Sequence, residues 1–265
     1  MPSRPVPVAL SIAGSDSGGG AGIQADLKAF AHAGVHGATA ITAITVQNTV
    51  AVSAVAPVAP AIIAGQIRAV VEDLGVDAVK IGMLGDVATI EAVATALDAL
   101  PAGTPVVHDP VMVAESGARL LPADAVEALR SLIVPRATVI TPNLAEARVL
   151  AGDDSLDGIE LARALHALGP ANVVVTGGHR DAATDLFFDG TQLTEIPGTR
   201  HPDGAAHGSG CTHSSTLAAR LALGDEPLAA ARYARAVAAR AVEFGLRDLG
   251  SGPGPVDVFG LSERR

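Results

Sequence analysis

The sequence predicts an α/β fold: a mainly parallel central sheet, helices on both faces, and a hairpin at one edge. Three observations lead there. Short apolar runs alternate with amphipathic stretches from residue 6 to residue 178, the pattern of parallel strands joined by helical crossovers. The rhythm breaks at residues 183–197, where two strand-like runs flank Asp189-Gly190, a hairpin turn pair. Glycine, asparagine and aspartate gather where the apolar runs end, which is where open α/β sheets bind ligands.

The elements follow in order. "VPVALSIAG" (6–14) is a strand that ends in a glycine loop, and "AGIQADLKAFAHAG" (21–34) has helical spacing with a glycine stop. "ATAITAITVQ" (38–47) reads as one strand. "PAIIAGQIRAVVEDLG" (60–75) opens on a proline suited to a first helical turn and is amphipathic. "DAVKIGM" (77–83) and "PVVHDPVM" (105–112) are strands on either side of the helical "DVATIEAVATALDAL" (86–100), and the second ends at Asp109-Pro110. A helix near 122–132, the strand "ATVITPN" (137–143), a helix from about Leu144 and the strand "ANVVVTGG" (171–178) come next. After the hairpin come two long helices, roughly 209–223 and 226–246. The stretch from Gly250 reads as a surface excursion. No linker divides the chain, so residues 1–265 are expected to form one domain.

Composition narrows the partners. The chain has 265 residues, 49% of them hydrophobic, enough for a sizeable core. Aromatics are 2%, so that core must be built of Ala, Val, Leu and Ile. A net charge of −10 disfavours nucleic acid and anionic membranes and fits small-molecule partners. A lone cysteine, Cys211, forms no internal disulfide, and a cytoplasmic location is the simplest expectation. The first residues are too short and too broken by proline for a signal peptide, and no apolar stretch is long enough to span a membrane. Lysine occurs only at Lys28 and Lys80, so any mechanism that needs one has few candidates.

Two glycine segments carry the first chemistry. "GSDSGGGAG" (14–22) lies between a strand and a helix. It is neither a dinucleotide loop, because the third glycine of that pattern falls on Ile23, nor a P-loop, because no Gly-Lys-Ser/Thr follows. Four glycines in five residues exceed what a plain turn needs and suit a backbone that approaches a ligand. "HGSGC" (207–211) precedes an apolar helical run. Successive N–H groups at a helix start make an anion hole, and the same position favours thiolate over thiol at Cys211. The plainer alternative is a buried cysteine acting as a small hydrophobe.

Oxygen ligands follow. Asp109 ends a strand, and Asn143 and Glu146 stand three apart at a helix start. Such oxygens suit Mg²⁺; helix capping by the pair Asn143 and Glu146 is the plainer alternative. His179, His207 and His213 lie near the glycine segments, but no paired-histidine zinc spacing and no G-x-S-x-G nucleophile elbow is present.

Seven segments occur in a familiar order: "AGSDSGGGAGIQADLK", "TAITVQNTV", "KIGML", "DPVMV", "TPNLAEA", "GGH" and "HGSGCTHS". In this order the chain resembles, from about residue 8 to 250, the bacterial hydroxymethylpyrimidine/phosphomethylpyrimidine kinases of thiamine synthesis, members of the ribokinase-like superfamily. The resemblance implies a three-layer ribokinase-like sandwich and a cytoplasmic homodimer. It implies transfer of a phosphoryl group from ATP, with Mg²⁺ and in some members a monovalent cation, to 4-amino-5-hydroxymethyl-2-methylpyrimidine and then to its monophosphate. By the same resemblance Gln47 hydrogen-bonds the aminopyrimidine, and Gly14, Asp26 and Met83 help form its pocket. Asn143, Thr176, Gly178 and His207 serve the nucleotide, and Glu146 and Asp109 the metal. Gly208, Ser209 and Gly210 offer N–H groups to the moving phosphoryl group. Cys211 stands where other members of the superfamily have an aspartate base.

Two positions depart from the pattern: Thr176 replaces a lysine common before Gly-Gly-His, and Glu115 replaces a common lysine or threonine. Two positive groups near the phosphates are therefore missing. Pyridoxal kinase, alone or with both activities, is the first alternative function. A binding protein that retains the fold, and a sugar or nucleoside kinase, follow; the intact "HGSGC" and its cysteine argue against these two.

Overall fold

A computed structural model describes residues 5–113, 117, 120–177, 183–202 and 204–264. Gly178, His179 and Glu115 lie outside the described residues.

Ten strands and eight α-helices follow one another as β1 (Val8–Ala13), α1 (Gly22–His32), β2 (His36–Ile41), β3 (Ala43–Gln47), β4 (Val52–Pro57), α2 (Pro60–Asp73), β5 (Ala78–Ile81), α3 (Val87–Ala96), β6 (Val106–His108), α4 (Ala123–Ala128), β7 (Val139–Ile140), α5 (Leu144–Ala151), α6 (Gly158–His166), β8 (Asn172–Val175), β9 (Asp185–Phe188), β10 (Leu193–Ile196), α7 (Ser209–Ala222) and α8 (Pro227–Glu243), among the described residues. Eight strands form one sheet in the order β10-β9-β8-β7-β6-β5-β1-β2. From β2 to β8 all neighbours are parallel, and β9 and β10 add an antiparallel hairpin at one edge.

Side-chain alternation divides the core. Leu10, Ile12, Val79, Ile81, Val106, Ile140, Val173 and Val175 face one layer of helices, α2 to α6. Ala9, Val107, Val139, Val174 and Phe187 face α7 and α8 on the other side. Strands buried on both faces read as continuous apolar runs, which is why the sequence located them. The period of two also places Ser11 and Lys80 on the second face, toward α7.

Local chemistry sets several helix starts. Pro60 and Pro227 occupy first-turn positions. Asp86 caps α3 through Thr89 N at 2.8 Å. Asn143 and Glu146 form a reciprocal capping box at α5.

The structure adds to or alters the sequence reading at four places. The single strand over 38–47 is two. At Thr42 the N–H bonds Ala13 O, the hydroxyl bonds Met83 O, and the carbonyl accepts from Val58. The main-sheet ladder stops there, and β3 turns out to pair antiparallel with β4 in a separate two-stranded sheet. The helix α6 was not anticipated; its signals are Asp157 at the N-cap and the pair Leu161 and Leu165 on one face. The helix near 122–132 has the expected extent but changes winding: α4 continues as a π turn over Leu129–Ile133 and a 3₁₀ turn over Val134–Arg136. The stretch after Gly250 is no free excursion, because Val256 and Asp257 are buried and Asp257 N bonds Ala241 O at 2.8 Å.

Candidate active site

The carboxyl ends of β1, β5, β6, β7 and β8 open onto one cavity of about 410 Å³. Its walls bring together Gly14, Gln47, Met83, Asp109, Asn143, Glu146, Thr176 and His207–Cys211.

The glycine segment after β1 is organised by an aspartate that sequence reasoning passed over. The buried Asp16 carboxylate accepts from Gly18 N, Gly20 N and Ala21 N at 2.8, 3.0 and 2.8 Å. Its Oδ2 also lies 2.9 Å from His207 Nε2. Burial alone would raise this carboxyl, but His207 and the backbone donors bring it below its ordinary value. The glycines make the contact possible: a Cβ on Gly20 would lie 2.1 Å from the His207 ring, and one on Gly208, at φ +85°, 1.7 Å from Gly20 O. His207 was expected on the nucleotide side. It joins the glycine loop to the start of α7 and lines the same cavity.

Gly208 is the N-cap of α7. Ser209 N turns back to Ala206 O at 2.9 Å, so Ser209 does not offer its N–H as expected. The N–H groups of Gly210 and Cys211 remain outside the helix's own ladder. Cys211 Sγ accepts from Gly22 N–H, but burial dominates and pushes the thiol up to about 12, against the pull of Lys80. The expected thiolate is thus corrected: the helix end favours a charge, and desolvation removes more than it supplies.

Asp26 was expected in the acceptor pocket. It lies beneath the floor, fully buried, and is consumed by other groups. Ser11 Oγ and Ser215 Oγ donate to it at 2.5 and 2.6 Å, and Lys80 Nζ at 2.9 and 3.1 Å. Burial opposes the Lys80 ammonium, but Asp26 first, then Cys211 and Asp109, hold it well above the ordinary lysine value. One of two lysines in the chain is thus a buried cation at the pocket floor.

Asp109 Oδ2 accepts from Ser214 Oγ at 3.0 Å. Burial raises its carboxyl, with Lys80 pulling the other way. Burial and the neighbouring Asp109 push Glu146 up to about 8. Two neighbouring buried acids thus raise each other's cost of ionisation, and Lys80 offsets it at Asp109. Among the described residues, no group of three or more His, Cys, Asp or Glu is placed to hold a metal.

On the opposite wall β3 presents Gln47. Its N–H bonds Ser17 Oγ at 2.8 Å, its carbonyl accepts from the same hydroxyl at 2.6 Å, and its Oε1 accepts from Thr45 Oγ1 at 3.2 Å. Gly14 has no side chain where Met83 Cε passes, 2.5 Å from the place a Cβ would take. Thr176 pairs with Asn143 in an isolated bridge between the ends of β8 and β7. Next to them stands a group unforeseen from the sequence. Asp185 Oδ1 accepts from Gly177 N at 2.7 Å, with His213 Nε2 3.4 Å from Oδ2 and Arg235 Nε 3.8 Å from Oδ1.

A helix start free to bind an anion, two facing acids and a polar wall, on this sheet order, define a small-molecule kinase of the ribokinase-like class. The chain belongs to the phosphomethylpyrimidine kinase family, whose pattern matches residues 16–257. It is 49% identical to the hydroxymethylpyrimidine/phosphomethylpyrimidine kinase of Rhizobium meliloti, over 95% of this chain and 97% of that one. Among solved structures it resembles an ADP complex of Bacillus subtilis pyridoxal kinase, with a TM-score of 0.88 and 38% identity over 97% and 98% of the two chains. It also resembles phosphomethylpyrimidine kinase from Clostridium difficile, with a TM-score of 0.76 and 38% identity over 87% and 96%.

Proposed function

We propose that this chain, as a single ribokinase-like domain, phosphorylates 4-amino-5-hydroxymethyl-2-methylpyrimidine and then its monophosphate at the expense of ATP, in thiamine biosynthesis. The observation that carries this reading is the start of α7. Gly208–Cys211 lines one cavity together with Gln47 and the acids Asp109 and Glu146. Phosphoryl transfer depends on positioning and charge neutralisation more than on covalent chemistry. The N–H groups of Gly210 and Cys211 face the moving phosphoryl group. Gln47 pairs with the amino edge of the pyrimidine, and Met83 packs on its ring. Asn143 and Thr176 serve the nucleotide. Cys211 stands beside the reacting hydroxyl and takes its proton only when its own thiol has ionised.

Asp109 and Glu146 fit Mg²⁺: both are oxygen donors, and burial raises both carboxyls, so a cation beside them would favour their charged forms. When bound, Mg²⁺ supplies charge neutralisation for the phosphates.

The test is ADP release in Mg-ATP, with hydroxymethylpyrimidine, pyridoxal or no acceptor in parallel. ADP is expected with the pyrimidine alone. Release with pyridoxal alone would move the assignment to a pyridoxal kinase, and release with neither would leave a binding protein.

A homodimer is part of the same reading. On the outer face of β3, Ile44 and Val46 are 57% and 60% exposed, opposite Ala56 and Ala54 of β4. Such a face suits a second copy. Sedimentation equilibrium should give twice the 26.4 kDa chain mass, and one chain mass for Ile44→Glu with Val46→Glu. A wild-type monomer would refute the dimer. A cytoplasmic location is supported by the lone free cysteine. No helix among the described residues is long and apolar enough to cross a membrane.

A further inference from the structure

We infer that the segment Gly250–Val256, which lines no part of the cavity, positions the acceptor half of the site, with Thr49 and Gly252 as its contact residues. The segment crosses the tip of the β3–β4 hairpin. Gly252 N donates to Thr49 Oγ1 at 3.2 Å. A Cβ on Gly252 would lie 1.9 Å from Thr49 O, and one on Gly250 2.3 Å from Thr49 Oγ1. Two glycines are therefore what lets the two strands of chain touch here.

A few residues on, the same segment grips His207 from both sides. His207 N donates to Gly254 O at 3.3 Å, and Val256 N donates to His207 O at 3.1 Å. The segment is itself fastened to the end of α8. Leu246 N bonds Pro255 O at 2.9 Å, and Asp257 N bonds Ala241 O at 2.8 Å.

These contacts close a circuit. From the segment it runs to Thr49, along the hairpin to Gln47, through the Ser17 hydroxyl to the Asp16 loop, and through Asp16 to His207. His207 returns it to the segment. Every residue of β4 from Ser53 to Pro57 is exposed. The base of the hairpin is held by the buried Ala43 and Thr45, which bond Ser15, and its tip is placed by Thr49 and Ser17. The segment sets how far Gln47 stands from Gly208–Cys211.

The inference rests on the acceptor site proposed above, and the test separates the two. Thr49→Val removes the acceptor for Gly252 N–H and keeps the shape. Thr49→Ser keeps the hydroxyl. Gly252→Ala presses on Thr49 O. Thr49→Val should raise the KM of the acceptor about fivefold, with the KM of ATP unchanged. Thr49→Ser should stay near wild type. Gly252→Ala should lower kcat/KM for the acceptor by about 10²-fold. In both damaging variants, amide hydrogen exchange should quicken at residues 48–51 and 15–20 together. An unchanged acceptor KM in Thr49→Val, or equal changes for acceptor and ATP, would overturn the inference. So would faster exchange at the hairpin tip without any at the glycine loop. If wild type released no ADP with any acceptor, the site reading would fail, and the exchange measurement would still decide the coupling.

Discussion

Replacing Cys211 by alanine should slow the first phosphorylation by about 10²-fold, the lower end of what a positioned proton acceptor contributes, and the second by less. The first acceptor is a hydroxyl whose proton must leave. The second is a phosphate already anionic, which needs positive charge more than a base. Single-turnover rates with each acceptor check this, and equal losses would contradict it. The pH dependence has a definite sign. Burial pushes the thiol up to about 12, from an ordinary 9.0, so Cys211 rests as a thiol at neutral pH and serves as a proton acceptor only in its minor thiolate form. Its alkylation by iodoacetamide should rise with pH and show no plateau below about pH 9. Cys211 is the only cysteine, so total labelling reads it directly. A group raised on folding contributes stability below its unfolded value and loses it above. The fold should weaken as pH climbs from 9 toward 12, and Cys211→Ala should flatten that slope.

Lys80→Met should cost about 3–5 kcal/mol, the loss expected when one partner of a fully buried ion pair is removed. Asp26 would keep Ser11 and Ser215 but lose its only ion-pair partner among the described residues. Urea midpoints measure the loss, and a cost below about 1 kcal/mol would show that water replaces the ammonium. Lys80→Met combined with Asp26→Asn should recover part of it, since no uncompensated charge then remains. In Lys80→Met alone Cys211 should alkylate more slowly at any given pH, because Lys80 lowers the thiol while Asp26, which raises it, remains; in the double variant the two effects oppose each other.

What the sequence made legible follows from range. The parallel strands are short runs buried on both faces, and Asp189-Gly190 announced the edge hairpin. The β3–β4 hairpin was missed because its tip carries no glycine. There Asn48 Oδ1 makes the turn by accepting from Val50 N and Ala51 N at 2.9 and 3.0 Å. The exposed β4 has no apolar alternation to give it away. At the site, the start of α7 was visible because a helix end is a local device. The partner of Asp16 was not, since His207 is 191 residues distant. Asp26 had the right chemistry for a pocket and the wrong neighbours, and only the fold could bring Lys80 against it. Cys211 failed for the same reason: its helix end is local, and the burial that overrides it is not.

No Phe, Tyr or Trp lines the cavity among the described residues. A flat heterocycle held here gains none of the roughly 1–3 kcal/mol that an aromatic platform gives a stacked base. On the acceptor site proposed above it would be sorted by its rim, by where its donors, acceptors and substituents fall against Gln47, Thr45 and Met83. Rings of different nitrogen content but matching outline should compete on near-equal terms, whereas moving one amino group should cost more than changing the ring beneath it. The enclosure distinguishes ligands by perimeter and is largely indifferent to the electronics of the face.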